Sequence, residues 1–195
     1  MSREGKAKVL SPSEFKHVIA VANTKQHAKR NIALLFMSFG LGLRVKEMSS
    51  LRIQDVVGPD GQLMDEINLK RNMTKGERQR HTYLTNKKVR EALTEYLNER
   101  INEPTFNPEG ILFQSQKGQF SPNSLQQLFH RLFKQAGLKG CSSHSGRRTF
   151  ATRLIEDGKD IKAVSSLMGH ASIAMTARYV EDNPERLKKI ASEAI

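Results

Sequence analysis

The chain of 195 residues carries 32 Lys and Arg against 20 Asp and Glu, a formal charge of +12, with 37% hydrophobic residues. That length suffices for a core without disulfides or a structural metal, and the charge favours a polyanionic partner, either nucleic acid or an anionic membrane surface. No apolar run reaches the roughly 18 residues of a membrane span, MSREGKAKVL lacks the apolar stretch of a signal peptide, and the single Cys141 excludes an internal disulfide or a Cys-based zinc cluster, so the expectation is a soluble, cytoplasmic, nucleoid-associated protein.

Residues 1–10 are expected to form a flexible N-terminal segment. The stretch LSPSEFKHVIAVA then starts a helix, with Ser11 as cap, Pro12 at the first helical position and Glu14 reaching back in a capping box. HAKRNIALLFMSFGLG supplies a second, mostly apolar helix, predicted to lie centrally in the core and to be ended by Gly40 and Gly42 before Arg44. Residues 45–56 read as a short helix and turn. GPDG marks a turn, and LMDEINLKRN and RQRHTYLT are two strand-forming runs around the loop MTKGE, hence an antiparallel hairpin. Residues 86–101 return to helical periodicity, ILFQS reads as a further short strand, and SPNSLQQLFHRLFKQAG is a helix opened by Ser121 and Pro122 and closed by Gly137. The remainder is mostly helical, with a tail helix over 183–195 restarting at Pro184 and carrying Leu187, Ile190 and Ala191 on one face. Without an internal repeat or a long linker, the expected fold is one α+β domain spanning 1–195, mainly α with a small antiparallel β-sheet inserted in its first half.

Four places hold residues suited to chemistry. In GLRVKEMSSLRIQDV, Arg44 follows a glycine-rich helix end. The hairpin, residues 70–90, sets eight basic residues (Lys70, Arg71, Lys75, Arg78, Arg80, Lys87, Lys88 and Arg90) against Glu77 alone, a density that is self-repelling unless an anion sits nearby; the alternative reading is a solvated edge that deters strand pairing. In HSGRRTFATRLIEDG, His144 and Arg147 are three apart and share a face if the helix has begun. In LMGHASIAMTARYV, His170 and Tyr179 are nine residues apart, on opposite faces of any unbroken helix. A break at Gly169, with Ser172 accepting hydrogen bonds from a new helix near Ile173, makes a corner that brings them together. Two arginines, a lysine, two histidines and a tyrosine without carboxylate metal ligands suit the cleavage of a phosphodiester. Guanidinium forks neutralise the non-bridging oxygens, a Lys or His protonates the leaving oxygen, and the phenol attacks.

These stretches resemble the tyrosine recombinases, or phage-type integrases. The family's first box, close to G-L-R-x-x-E-L-x-x-L, is present as GLRVKEMSSL, its H-x-x-R box as HSGR, and its L-G-H box with the following tyrosine as LMGHASIAMTARY. The resemblance covers residues 10 to 182 and implies a tyrosine recombinase catalytic-domain fold. It implies Arg44 and Arg147 as phosphate clamps, Lys75 as general acid, His144 as acid/base partner, His170 as a hydrogen-bond donor in the transition state, Tyr179 as the nucleophile and Glu47 as the acid supporting Arg44. Lys70 remains a rival to Lys75. Lys70, Arg71, Arg78, Arg80 and Arg148 are expected to bind DNA. The implied activity is site-specific recombination through a 3′-phosphotyrosyl intermediate, without cofactor or metal, on double-stranded DNA. The implied assembly is a homo-tetramer on DNA and a monomer when free. A type IB topoisomerase-like nicking-closing enzyme and a non-catalytic DNA-binding regulator are the alternatives. Gly146 and Arg148 stand where the family commonly has Leu and His. Only 43 residues precede Arg44, where the family commonly carries a core-binding domain, so a natural short recombinase and an excised catalytic domain both fit.

Overall fold

The computed structural model describes residues 7–74, 79–104, 106–179 and 191–192. Helix α1, Pro12–Asn23, opens with the expected capping box: the Ser11 hydroxyl accepts from the Glu14 N–H at 3.2 Å, and Glu14 accepts from the Ser11 N–H at 3.0 Å. Helix α2, Ala28–Leu41, is the central helix, with Leu34, Leu35 and Met37 fully buried. It runs through Gly40 and stops at Gly42, whose φ of +62° is the left-handed conformation that ends a helix cheaply only at glycine. Helix α3, Val45–Ser50, and a 3₁₀ turn, Ile53–Asp55, follow.

The hairpin pairs β1, Glu66–Leu69, with β2, Arg80–Tyr83, antiparallel, Glu66 opposite Tyr83 and Leu69 opposite Arg80. Its period-two alternation buries Ile67 and Leu69 from β1, and Arg80 and Thr82 from β2. Helix α4, Lys87–Ile101, is capped by the Asn86 side chain. The expected strand ILFQS reduces to β3, Gln114–Ser115, paired with β4, Gly118–Gln119, and a lone bridge from Ile111 to Arg52. Among the described residues the strands therefore form two small antiparallel pairs. Helix α5, Pro122–Gln135, begins at Ser121 as expected; α6, Ser145–Glu156, α7, Ile161–Met168, and α8, Ile173–Ala177, complete the described elements. The expected helix from Pro184 lies outside the described residues, except that Ala191 and Ser192 are helical.

Helices α1, α4 and α6 pack around α2, and Phe15, Phe39 and Phe133 interlock in the main core. A smaller cluster of Ala151, Ile155, Val164 and Met168 lies between α6 and α7, and Tyr179 packs on it. Residues 7–10 depart from the flexible segment expected. Leu10 is buried, the Lys8 N–H donates to the Gly140 carbonyl, and the Leu10 N–H donates to Thr149, so this stretch is laid across α6 by apolar burial and satisfied backbone groups.

Gly146 explains the closeness of α6 to α2. A Cβ there would lie 2.2 Å from Ser38 Oγ and 2.8 Å from Phe39. We expect Gly146→Ala to lower stability by roughly 1–3 kcal/mol, the scale of overpacking a filled core, in urea unfolding. Adding Ser38→Gly should recover part of that loss, since it removes the Ser38 side of the collision and leaves only the Phe39 ring.

Candidate active site

Arg44 occupies the N-cap position of α3, delivered there by the Gly42 turn. Its Nη1 donates to Glu47 Oε1 at 2.9 Å, and its backbone N–H donates to Glu47 Oε2 at 2.7 Å. Glu47 is wholly buried, so its charge requires partners on both oxygens. The second partner is Arg80, from β2, whose Nη2 lies 2.7 Å and whose Nε lies 3.2 Å from the same carboxylate. Burial alone raises the Glu47 carboxyl, but Arg80 and then Arg44 outweigh it and hold the group below its ordinary value.

Arg80 also donates through Nη1 to the Leu167 carbonyl at 2.6 Å. Arg147, from the first turn of α6, donates through Nη1 to the Gly42 carbonyl at 2.7 Å and through Nη2 to the Met168 carbonyl. Two guanidiniums thus grip consecutive carbonyls at the C-terminus of α7, the end at which cations are favoured. Gly169 follows with φ +57°, and a Cβ there would lie 2.3 Å from the Arg80 side chain. Burial, and after it the charges of Arg44 and Arg80, push the Arg147 guanidinium down, opposed by Glu47. Two guanidiniums are bonded to the Glu47 carboxylate and a third, Arg147, feels its charge, an excess of positive charge suited to an incoming anion.

The corner forms where the sequence places it. Gly169 ends α7, Ser172 is the N-cap of α8, and the His170 and Tyr179 rings lie parallel, 5° between planes, with centroids 5.7 Å apart. The Ser172 side chain makes no capping hydrogen bond, contrary to expectation; the short helix is closed instead by the Met175 N–H donating to the Ser172 carbonyl. His170 Nδ1 hydrogen-bonds Thr176 Oγ1 at 2.7 Å, and Thr176 is fully buried. Burial first, then Arg147, Arg44 and Arg80, depress the His170 pKa to about 4. Tyr179 is close enough to Arg147 for a phenolate to favour the guanidinium charge.

Other expected residues are distributed differently. His144 is exposed at the N-cap of α6, whereas Arg147, three residues on, is buried. Lys75 and Arg78 lie outside the described residues. The Thr74 carbonyl beside them accepts from Lys46 Nζ at 3.1 Å, which fixes where that loop begins. Lys70 is held by Asp55 at 3.2 Å, and Arg71 is exposed. Arg80 and Arg148, both expected to contact DNA, are buried: strand alternation turns Arg80 inward to Glu47, and Arg148 Nη1 donates to the Ala7 carbonyl at 3.1 Å. Arg90 belongs to the fold as well, bonded to Asp65 at 2.7 Å and to the Leu84 carbonyl. Thr176 and Lys46 are site-building residues that motif reading missed, and Arg80 is one to which it gave the wrong role, although the alternation of β2 was an available signal.

This chain belongs to the phage integrase family, whose model matches residues 8–186. It is 31% identical to the tyrosine recombinase XerC of Pelobacter propionicus over 171 residues, covering 87% of this chain and 53% of that protein. It is 28% identical to the tyrosine recombinase XerA of Thermococcus kodakarensis, covering 96% of this chain and 62% of that one, so it spans between about half and two-thirds of these relatives. A crystal structure of XerA recombinase superposes with a TM-score of 0.76 at 28% identity, covering 96% of this chain and 66% of that one. XerH site-specific recombinase bound to palindromic difH substrate, a post-cleavage complex, gives 0.75 at 27%, covering 96% and 53%.

The depressed His170 pKa yields a solution test. In the folded protein the ring should remain neutral as pH falls from 8 to 5, its NMR signals titrating only near pH 4, while the unfolded chain protonates near 6.5. Because the unfolded state binds the proton first, this group's contribution to stability is complete above about pH 6.5 and is lost as pH falls toward 4. A ring titrating at 6.5 in the native protein would contradict the packing described.

Proposed function

We propose that this chain is the catalytic domain of a site-specific DNA recombinase that cuts and rejoins strands through Tyr179. The observation that carries the reading is the parallel stacking of Tyr179 on His170, beside an α7 terminus gripped by Arg147 and Arg80. Tyr179 therefore stacks on a ring that feels the charges of Arg147, Arg44 and Arg80, and itself acts on the charge of Arg147. XerH, a relative at 27% identity, has been solved bound to its difH substrate after cleavage, which supports the same substrate class.

Arg44 and Arg147 neutralise the non-bridging oxygens of the scissile phosphate as charge grows on them. The Tyr179 oxygen attacks phosphorus, its proton passing to His144 or water. A 3′-phosphotyrosyl bond forms as the bond to the 5′ oxygen breaks, and Lys75 supplies that oxygen with a proton. In the tautomer whose Nδ1 accepts from Thr176, a neutral His170 carries an Nε2–H that donates to the phosphate. Attack by a 5′-hydroxyl from a partner duplex then reverses the step and joins new strands. Lys70 is the weaker general acid because Asp55 already holds its ammonium. Double-stranded DNA is the substrate, four protomers assemble on it, and the free protein is monomeric.

Tyr179→Phe should bind DNA nearly normally and form no covalent complex on nicked duplexes, since only the attacking oxygen is lost. Trapped protein with this variant would overturn the assignment. A binding-only regulator would give no trapped wild-type protein, and a nicking-closing enzyme would trap without joining two duplexes.

Lys75→Ala should slow cleavage of ordinary phosphodiesters by roughly 10²- to 10⁴-fold, the usual worth of a general acid, yet recover on DNA with a 5′-bridging sulfur, because a thiolate leaves unprotonated. Lys70→Ala should show neither effect. Sulfur rescue of Lys70→Ala alone would transfer the role to Lys70.

A further inference from the structure

Helix α8 buries one of its five residues, and that residue, Thr176, is polar, while Ile173 and Met175 stay exposed at 46% and 40%. A surface helix ordinarily docks by an apolar stripe. This one docks through a hydroxyl, since Thr176 Oγ1 lies 2.7 Å from His170 Nδ1. Tyr179, three residues on, donates its backbone N–H to the Thr176 carbonyl and stacks its ring on the same imidazole. One segment of chain therefore holds His170 twice, at an edge and on a face.

Burial first, then the charges of Arg147, Arg44 and Arg80, favour the neutral form of that ring. Charge does not choose between its nitrogens. A neutral imidazole has a single N–H, and the hydrogen bond made by one nitrogen decides whether the other carries it. A fully buried threonine hydroxyl must direct its proton at an acceptor, and His170 Nδ1 is within hydrogen-bond distance. With the hydroxyl donating, the ring proton falls on Nε2. In the opposite tautomer Nε2 would turn a lone pair toward phosphate oxygens, which repel it.

We propose that Thr176 is a positioning residue for His170: its hydroxyl donates to Nδ1 and fixes the N–H on Nε2, so the segment that carries the nucleophile also sets the histidine that donates to the phosphate. This role rests on the DNA-cleaving reading and acts through the histidine alone.

Two measurements distinguish it from a packing role. Long-range proton–nitrogen correlation spectra of isotope-labelled histidine, with the His170 ring assigned by its loss in His170→Asn, show which nitrogen carries the proton. Single-turnover covalent-complex formation on saturating nicked duplex follows the reaction. Wild type should show Nε2–H and a bare, hydrogen-bonded Nδ1. Thr176→Val, which nearly keeps the shape and drops the hydroxyl, should let the Nδ1–H tautomer appear. It should also slow complex formation by about 10-fold or more at unchanged DNA affinity, within the roughly 10²- to 10³-fold that follows loss of a whole transition-state donor. Thr176→Ser, which keeps the hydroxyl, should restore both. The role of Thr176 would be overturned, with the recombinase reading intact, by a wild-type ring protonated at Nδ1, by Thr176→Val with the wild-type tautomer or the wild-type rate, or by Thr176→Ser as impaired as Thr176→Val. Wild-type protein that forms no covalent complex would overturn both.

Discussion

The carboxylate of Glu47 is the fixed point of this molecule. A wholly buried charge is tolerable only when its partners are held as rigidly as it is, and here both partners are guanidiniums arriving from different directions. Arg44 comes from the turn that ends α2, and Arg80 comes from the hairpin. One buried anion therefore joins the central helix, the inserted sheet and, through the second arm of Arg80, the end of α7. Breaking such a pair on one side leaves an uncompensated charge, so each partner is selected for structure and for charge at once.

Because the single anion is outnumbered by three cations, the site is electrostatically unfinished. Arg147 is buried against two carbonyls and still lies beside Arg44 and Arg80, which depress it further. Among the described residues only Glu47 opposes that excess. The carbonyl grip has a second effect. The α7 terminus leads directly into Gly169 and His170, so the arginines that grip it also set the corner carrying the histidine and tyrosine. Donors fixed before the substrate arrives need no reorganisation as charge develops, which is where such sites gain most of their rate.

How much of this the sequence disclosed depends on the range of the interaction. The helix starts at Ser11 and Ser121, the hairpin, and the corner between His170 and Tyr179 were legible because capping, turn chemistry and helical phase are local. The family boxes located Arg44, Arg147 and Glu47. Arg80 was misread because a count of charge along the hairpin ignores its alternation: the strand that presents His81 and Tyr83 outward sends Arg80 and Thr82 inward. Thr176 and Lys46 were invisible for another reason. Their partners, His170 Nδ1 and the Thr74 carbonyl, are chosen by tertiary geometry, and no local periodicity records that choice. Residues 7–10 read as a tail because their hydrogen bonds run to Gly140 and Thr149, more than a hundred residues away.

The two departures from the family's pattern around Arg147 acquire a common logic. Gly146 removes a side chain on the inner face of α6, and the backbone closes onto Ser38 and Phe39 of α2. Arg148, where the family commonly has His, turns to the Ala7 carbonyl, and Arg153, further along α6, donates to the Leu10 carbonyl at 3.0 Å. Helix α6 is thus fastened on one side by close backbone approach and on the other by a strap made of residues 7–10. Both fastenings bear on the same object, the azimuth of α6, and that azimuth decides whether the Arg147 fork spans the gap between the Gly42 and Met168 carbonyls. At both departures the residues present therefore hold the helix that carries Arg147.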